Sequence, residues 1–257
     1  MISSKTTLEL TKMKKASIIV ALAHRAAQHF IRVGVTTSQI DQVVEDEILK
    51  HGATPSFKGL YGFPNATCIS VNSITAHGLP SDYVLQDGDI VSIDIGACYH
   101  GYHGDSAWTY AVGNVSEEAK RLMEVGEAAL FAGLQHAKAG NHLTDISHAI
   151  GEYVFAHGYT LPRDYAGHGI GTSVHEEPSV PNFGPANQGI VLEAGMTFAV
   201  EPIVLEGRPQ TRLLEDGFSI ETKDKKLAVH YEHTIVITDE GYEILTVLNK
   251  EELPTNG

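Results

Sequence analysis

The chain has 257 residues, of which 42% are hydrophobic, and its net charge is -14 at pH 7. The hydrophobic content is enough for a substantial core and argues against disorder, while the acidic balance argues against binding to nucleic acids or anionic membranes. Two cysteines, Cys68 and Cys98, are too few for a disulfide framework, and no apolar stretch approaches the ~20 residues that span a bilayer. We therefore expect an acidic protein of the cytoplasm.

Two helices are predicted at the start of the chain. Apolar residues at helical spacing predict the first over about 7–33, ended by Gly34, and the second begins at Thr36, where Gln39 can complete a capping box. Residues 12–23 also imitate a short signal peptide, because lysines precede an apolar run. The helical stripe continues through the supposed cleavage site, so the pattern favours a helix.

Strands follow the helices in both halves of the chain. After a loop over 59–64, strands are predicted over 67–75, 90–95 and 107–112. The second half repeats this order, with helices near 116–138 and 144–157 and strands near 196–205, 217–222 and 227–238. Because helices precede strands in each half, the fold class is α+β with a largely antiparallel sheet. We predict a single domain over 1–257 with internal halves of about 1–115 and 116–257.

A duplicated segment supports this division into halves. Leu85, Gly88 and Asp94 recur as Leu192, Gly195 and Glu201, each 107 residues later, and an apolar run precedes each acid. Residues 34–52 and 140–158 also align, with a shift of 106 residues. We infer two similar halves around a pseudo-twofold axis, since a repeat of roughly a hundred residues is too long for a solenoid unit.

Four acidic residues mark the ends of these repeated segments. Asp94 and Glu201 close the two apolar runs, and Asp105 and Glu232 follow downstream. The spacing of Asp94 and Asp105 fits a hairpin that brings both carboxylates to one cavity. Carboxylates in such a cluster cannot all stay ionised without a counter-charge, so one or two divalent cations are expected.

His168 is a further candidate ligand, because Gly167 and Gly171 flank it and allow close approach of the backbone. Mixed carboxylate and imidazole ligation suits Mn, Fe, Co or Zn and does not discriminate between them. Other chemistries fit less well. Ser179 replaces the second histidine of a zinc-protease helix motif, and Cys68 lies in an apolar strand where an inert thiol is expected.

Taken together, the motifs resemble those of methionine aminopeptidases of the short bacterial type, which have the pita-bread fold, over nearly the whole chain. The matching stretches are His77-Gly-Leu-Pro80, Asp89-Ile-Val-Ser-Ile-Asp94, His103-Gly-Asp105, Gly167-His-Gly-Ile-Gly171, His175-Glu-Glu-Pro178, Glu201-Pro202 and Tyr231-Glu-His-Thr234. The resemblance implies a pseudo-twofold pair of halves around a curved antiparallel sheet with helices on its outer face.

The resemblance also implies a dinuclear metal site of Co, Mn, Fe or Zn. Its ligands would be Asp94, Asp105, His168, Glu201 and Glu232, with Asp105 and Glu232 bridging the two ions. A metal-activated water would attack the first peptide bond and Glu201 would shuttle the proton. His175 would steady the tetrahedral intermediate and His77 would contact the substrate amide. His100, His103, His230 and His233 would be neighbours of ligands rather than ligands.

The implied activity is removal of the initiator methionine from nascent proteins and peptides with a small second residue. We expect a monomer that acts on N-terminal methionyl chains, and docking on the ribosome is left open. By resemblance, the methionine side chain would lie among Phe63, Cys68, Val174 and Phe218. Leu60, Ala166, Val174 and Phe218 differ from residues frequent in relatives, which affects the width of the pocket.

Two alternatives belong to other classes. The first is an exopeptidase of the same fold that cleaves beside proline, although such relatives commonly carry an extra N-terminal domain. The second is a binding module that reuses the fold without catalysis. Such modules are expected to have lost metal ligands, whereas all five acids and histidines of the implied site are present here.

Overall fold

The computed structural model describes residues 4–248. Within this range the helices are α1 (Thr7–Phe30), α2 (Thr37–Lys50), α3 (Glu117–Leu134) and α4 (Leu143–Ala156), with a short 3-10 turn at Leu60–Gly62. The strands of the first half are β1 (Thr54–Pro55), β2 (Thr67–Val71), β3 (Ile74–Ala76), β4 (Ile90–Tyr99) and β5 (Tyr102–Ala111). Those of the second half are β6 (Gly167–Gly169), β7 (Glu176–Val180), β8 (Thr197–Val200), β9 (Ile203–Leu205), β10 (Thr211–Leu213), β11 (Ile220–Thr222), β12 (Ala228–His230), β13 (His233–Ile237) and β14 (Tyr242–Ile244).

Both helices of the first half form where the sequence predicts them. The Thr36 side chain accepts a hydrogen bond from Gln39 N, and the Gln39 side chain accepts from Thr36 N, which confirms the capping box of α2. The helical interpretation of residues 12–23 is also confirmed, since α1 runs through them without a break. It ends at Phe30, earlier than predicted, because Ile31 has an extended backbone. No helix among residues 4–248 is long and apolar enough to span a membrane.

The β4–β5 hairpin is longer than predicted. Its ten-residue strands pair in continuous register from Ile90 opposite Ala111 to Tyr99 opposite Tyr102. The prediction that Asp94 closes its strand is therefore wrong, because Asp94 lies in the middle of β4. The strand continues since Ile95 and Ala97 are small or apolar and are buried on the face that packs on α1 and α2. Asp94 points to the opposite face by the alternation of a strand.

Two long strands predicted in the second half are each divided. Residues 196–205 form β8 and β9, separated at Glu201-Pro202, and residues 227–238 form β12 and β13, separated at Tyr231-Glu232. Pro202 has no amide hydrogen and so cannot continue the ladder. The predicted strand 217–222 is reduced to β11, because the Asp216 carboxylate accepts from the amides of Phe218 and Ser219 in a turn. Strands such as β1, β6 and β10 have two or three residues and no sequence pattern of their own.

The two halves repeat each other in hydrogen bonds as well as in sequence. Gly34 N donates to Leu85 O at 2.9 Å, and Gly140 N donates to Leu192 O at 2.9 Å, which are equivalent bonds in the two copies. An antiparallel bridge joins Thr36 to Val84 in one half and His142 to Val191 in the other. The predicted pseudo-twofold arrangement is therefore confirmed. The division of 1–257 into one domain with those half boundaries stays a prediction, and residues 1–3 and 249–257 lie outside the described range.

Candidate metal centre

Two carboxylates of the site lie on one face of the β4–β5 hairpin. Asp94 is opposite Ala107 and Asp105 is opposite Gly96, so the two acids are diagonal neighbours. Both opposing residues are small, and Phe57 occupies the space beside Gly96. The expectation that a hairpin brings Asp94 and Asp105 to one cavity is met, and both residues line the same cavity.

The second half contributes an imidazole and two further carboxylates. His168 Nε2 lies 3.4 Å from Glu201 Oε1 and 3.9 Å from Asp105 Oδ2. One ligand atom each from Asp105, His168 and Glu232 lies within 4.8 Å of the others. The breaks in the second-half strands place these acids, since Glu201 directly follows β8 and Glu232 lies between β12 and β13.

The two halves are joined by hydrogen bonds at this point. Asp105 N donates to Thr234 Oγ1 at 3.0 Å, and Thr234 Oγ1 donates to Asp105 O at 2.7 Å. Glu232 N donates to Ala107 O at 2.8 Å, and Ser106 Oγ donates to Glu232 O at 2.7 Å. The backbone beside each central acid is thus fixed by the other half of the chain.

The ring of His168 is oriented by its own backbone. His168 Nδ1 lies 2.9 Å from Gly169 O, and because a carbonyl oxygen only accepts, Nδ1 carries the proton. The lone pair of Nε2 is then directed at the carboxylates of Asp105 and Glu201. This tautomer is the one that an Nε2 metal ligand requires.

His230 also belongs to the cluster, although the sequence places it among neighbours of ligands. Its Nε2 lies 3.5 Å from Glu201 Oε2 and 3.9 Å from Glu232 Oε2, and the side chain is buried. The only signal in the sequence is its position two residues before Glu232, since alternate residues of an extended segment share a face.

Burial dominates the electrostatics of the cluster. It raises the pKa of Asp94 to about 7 and that of Glu201 to about 7. Burial and the neighbouring acids also raise the pKa of Asp105 and of Glu232 well above the ordinary range. Without a cation, protons must take over the role of the counter-charge.

The donor set fits a divalent cation. Asp94 Oδ1, Asp105 Oδ1, Glu232 Oε1 and His230 Nε2 are buried and have no hydrogen-bond partner within the described residues. Buried polar atoms are almost always satisfied, so a cluster of carboxylate oxygens without hydrogen-bond partners indicates a site for a cation. Carboxylate oxygens beside an imidazole nitrogen are ligands that first-row divalent metals accept.

An apolar pocket adjoins the acids within a cavity of about 670 Å³. Phe63 and Phe218 meet edge to face with ring centroids 5.4 Å apart, and the buried Cys68 lies in the same cluster. Phe57, which no sequence motif indicates, joins this wall and packs over Gly96. Val174 is buried in the cluster but is not among the residues that line the cavity.

Two histidines lie on the solvent side of the cluster. The His175 ring is perpendicular to that of His168, with centroids 4.5 Å apart, and His77 meets Tyr165 edge to face at 6.2 Å. Burial lowers the pKa of both His77 and His175. The lowered pKa favours the neutral form of each ring, and a neutral imidazole can donate one hydrogen bond and accept another.

Comparison with known proteins assigns this arrangement to a family. The family model described as metallopeptidase family M24 matches residues 11–239. The chain belongs to metallopeptidase family M24. Among M24 relatives it is 49% identical over 246 residues to methionine aminopeptidase 1 of Bacillus subtilis, covering 96% of this chain and 99% of that protein.

Solved structures of the M24 family confirm the pita-bread fold. A methionine aminopeptidase of Thermotoga maritima superposes with a TM-score of 0.95 at 44% identity, covering 96% of this chain and 100% of that one. A prolidase of Pyrococcus furiosus superposes with a TM-score of 0.79 at 27% identity, but the match covers only 66% of the prolidase. The fold prediction, α+β with two related halves, is confirmed by these neighbours.

Proposed function

We propose that this M24 metallopeptidase removes the N-terminal methionine from proteins and peptides whose second residue is small. The observation that carries the proposal is the position of a metal-binding cluster beside an apolar pocket in one cavity. Identity of 49% to a methionine aminopeptidase over nearly the full length of both chains supports the same activity.

The residues that would hold metal are Asp94, Asp105, His168, Glu201 and Glu232. We infer two ions, because Asp105 and Glu232 are buried at the centre of the cluster and each has an oxygen free to bridge. Co, Mn, Fe and Zn all suit this donor set. Such ions would polarise the scissile carbonyl and make a water nucleophilic near neutral pH.

We propose that Glu201 moves the proton. Its carboxylate lies between His168 and His230, at 3.4 Å and 3.5 Å. A carboxylate that contacts both the ions and their water could accept a proton from that water and return it to the leaving amine. We assign general base and general acid roles to Glu201.

His175 and His77 would act on the substrate peptide. A neutral His175 beside His168 can donate a hydrogen bond to the oxygen that becomes negative in the transition state. His77 lines the same cavity and would contact the amide nitrogen of the substrate. The methionine side chain would lie against Phe63, Cys68 and Phe218, and Val174 would support that wall from behind.

Proline-directed cleavage is the less favoured activity. The prolidase likeness extends over 66% of that enzyme, whereas the chain covers 100% of the Thermotoga methionine aminopeptidase. A binding module without catalysis is also disfavoured, because the acids and His168 converge rather than being lost. We further propose that the protein acts in the cytoplasm as a monomer, on nascent chains as well as free peptides.

The experiment is a comparison of peptides with metal-loaded protein. Met-Ala-Ser should be cleaved after methionine, and an X-Pro dipeptide should be left intact. Preferential cleavage before proline would support the other activity. Asp105→Ala is expected to abolish both metal binding and peptidase activity while the protein stays folded, and unchanged turnover by that variant would refute the assigned site.

A further inference from the structure

Lys5 is a buried cation that precedes α1 and lies next to the cavity wall. Its side chain is only 8% exposed, and its Nζ lies 2.9 Å from Glu176 Oε2. Lysine is rarely buried unless it is paired, so this contact differs from the exposed ion pairs of the surface. The Lys5 amide also donates to Gly195 O at 2.8 Å, at the turn that leads into β8.

The other oxygen of Glu176 holds the loop that carries His175. Glu176 Oε1 accepts from Ser173 N at 3.1 Å and from Thr172 Oγ1 at 3.2 Å. One end of the loop is also fixed to β5, because His103 N donates to Gly171 O at 2.8 Å. Lys5, Glu176 and the loop over 171–176 therefore form one connected unit.

Gly171 shows how closely Lys5 approaches this loop. A Cβ added at Gly171 would lie 2.5 Å from Lys5 Cε and 2.7 Å from Glu176 Oε1. The space above Gly171 is thus filled by the ion pair. Any larger residue would displace the lysine stem or the carboxylate.

The His175 ring depends on this loop for its position. Among residues 4–248 no group is hydrogen-bonded to the His175 imidazole, and its ring neighbours are His168 at 4.5 Å and Tyr61 at 6.0 Å. Tyr61 is itself 82% exposed and gives little support. The backbone over 171–176 is then the main determinant of where the imidazole points.

We propose that Lys5 is a positioning residue for peptide hydrolysis, which fixes the 171–176 loop through Glu176 and so holds His175 beside the metal cluster. The kinetic consequence rests on the proposed function. The structural consequence, a loop fastened by Lys5, holds whichever peptide is cleaved.

The test uses Lys5→Met, which removes the charge and keeps most of the volume. With saturating Co²⁺ and Met-Ala-Ser, we expect kcat to fall roughly 10-fold, as small misplacements of catalytic groups do. KM should change by less than about twofold, because His175 acts on the transition state. Co²⁺ affinity by calorimetry should equal that of the parent protein, and hydrogen exchange at the Ser173 amide should be faster with and without metal.

Lys14→Met is the matched control. It breaks an exposed ion pair of the same helix region, Lys14 to Glu243 at 2.8 Å, and should leave kcat and Ser173 exchange unchanged. Gly171→Ala should reproduce the kcat loss, since its methyl group meets Lys5. In a double-mutant cycle with Glu176→Gln, the loss in the double variant should match that of the larger single variant, because both act through one contact.

The proposal would be overturned if folded Lys5→Met had the same kcat as the parent protein. It would also be overturned if the losses of kcat were additive in the double-mutant cycle. A loss of kcat that is fully explained by the fraction of unfolded protein, or by the fraction of protein without metal, would contradict it as well. If the parent protein fails to cleave Met-Ala-Ser, the proposed function is rejected instead. The exchange rate at Ser173 then still decides whether Lys5 fastens the loop.

Discussion

Asp105 lies directly opposite Gly96 in the β4–β5 ladder. The missing side chain at Gly96 leaves space that Phe57 fills, because an added Cβ would be 2.8 Å from Phe57 Cε1. One glycine therefore serves both parts of the site, the acidic cluster and the apolar wall. In the proposed function, this single strand position would bring the metal ions and the methionine side chain together.

Gly96→Ala is accordingly expected to affect substrate binding. The added methyl group must push Phe57 toward the pocket, and overpacking of this kind costs about 1 to 3 kcal/mol. We expect kcat/KM for Met-Ala-Ser to fall by roughly 10-fold, mainly through KM. Steady-state kinetics and Co²⁺ titration measure the two effects separately, and an unchanged KM would contradict this account of the wall.

Asp105→Asn tests the electrostatic role of the cluster. The amide keeps the shape of the side chain but replaces a carboxyl group whose raised pKa favours the protonated form in metal-free protein. The free energy of unfolding without metal should stay equal or rise by about 1 kcal/mol, whereas stabilisation by added Co²⁺ should disappear. Thermal denaturation with EDTA and with Co²⁺ measures both. Asp46→Asn, at an exposed site on α2, is the control and should keep the stabilisation by metal.

Phe218→Leu tests the pocket wall. Loss of the edge-to-face contact with Phe63 removes apolar area from the wall, and methylene-scale changes shift selectivity by about 1 to 3 kcal/mol. We expect kcat/KM for methionyl peptides to fall roughly 10-fold with unchanged metal affinity. Phe155→Leu, on the exposed side of α4, should have no effect on kcat/KM. Equal losses in both variants would mean that Phe218 acts only through general stability.

His24 predicts a pH dependence of stability away from the metal cluster. Its Nε2 donates to Ser106 O at 2.9 Å and its Nδ1 accepts from Tyr110 Oη at 3.0 Å, so the buried ring is neutral. Burial lowers the pKa of His24 to about 4 in the folded protein. The unfolded chain binds this proton near pH 6.5, so the contribution is fully present above about pH 6.5 and is lost as pH falls toward 4.

The loss should amount to about 3 kcal/mol between pH 7 and pH 4. Urea denaturation of the parent protein and of His24→Gln, at several pH values, measures the difference. Protonation of carboxylates destabilises both proteins in acid, so the informative quantity is the difference between their free energies of unfolding at each pH. If this difference does not change with pH, His24 does not titrate as its burial requires.

The sequence predicted the fold class and the hairpin acids because both leave local patterns. The repeated positions of Gly88 and Gly195 mark turns that the backbone needs in each half, and the acids after them are visible as interruptions of apolar runs. The prediction that Asp94 ends its strand was wrong, because small residues such as Gly96 and Ala97 give no strand signal of their own. Pairing with β5 extends β4 beyond the residues whose strand propensity predicts a strand.

Contacts between distant residues could not be predicted in this way. Lys5 and Glu176 are 171 residues apart, and nothing in either segment indicates the other. The position of His230 could not be predicted either, because its place between Glu201 and Glu232 depends on how two divided strands pack together. The assignment of ligands as a set was possible only through the motifs, which lie in both halves.

The sharing of the cluster between halves has a consequence for biosynthesis. Asp94 and Asp105 are made early in translation, whereas His168, Glu201 and Glu232 emerge later, and the hydrogen bonds from Thr234 and Ser106 close the seam between them. A chain whose synthesis stops before residue 168 therefore holds only two of the five groups. The proposed hydrolytic site would therefore be complete only after Glu232 and Thr234 have been synthesised and have joined the first half.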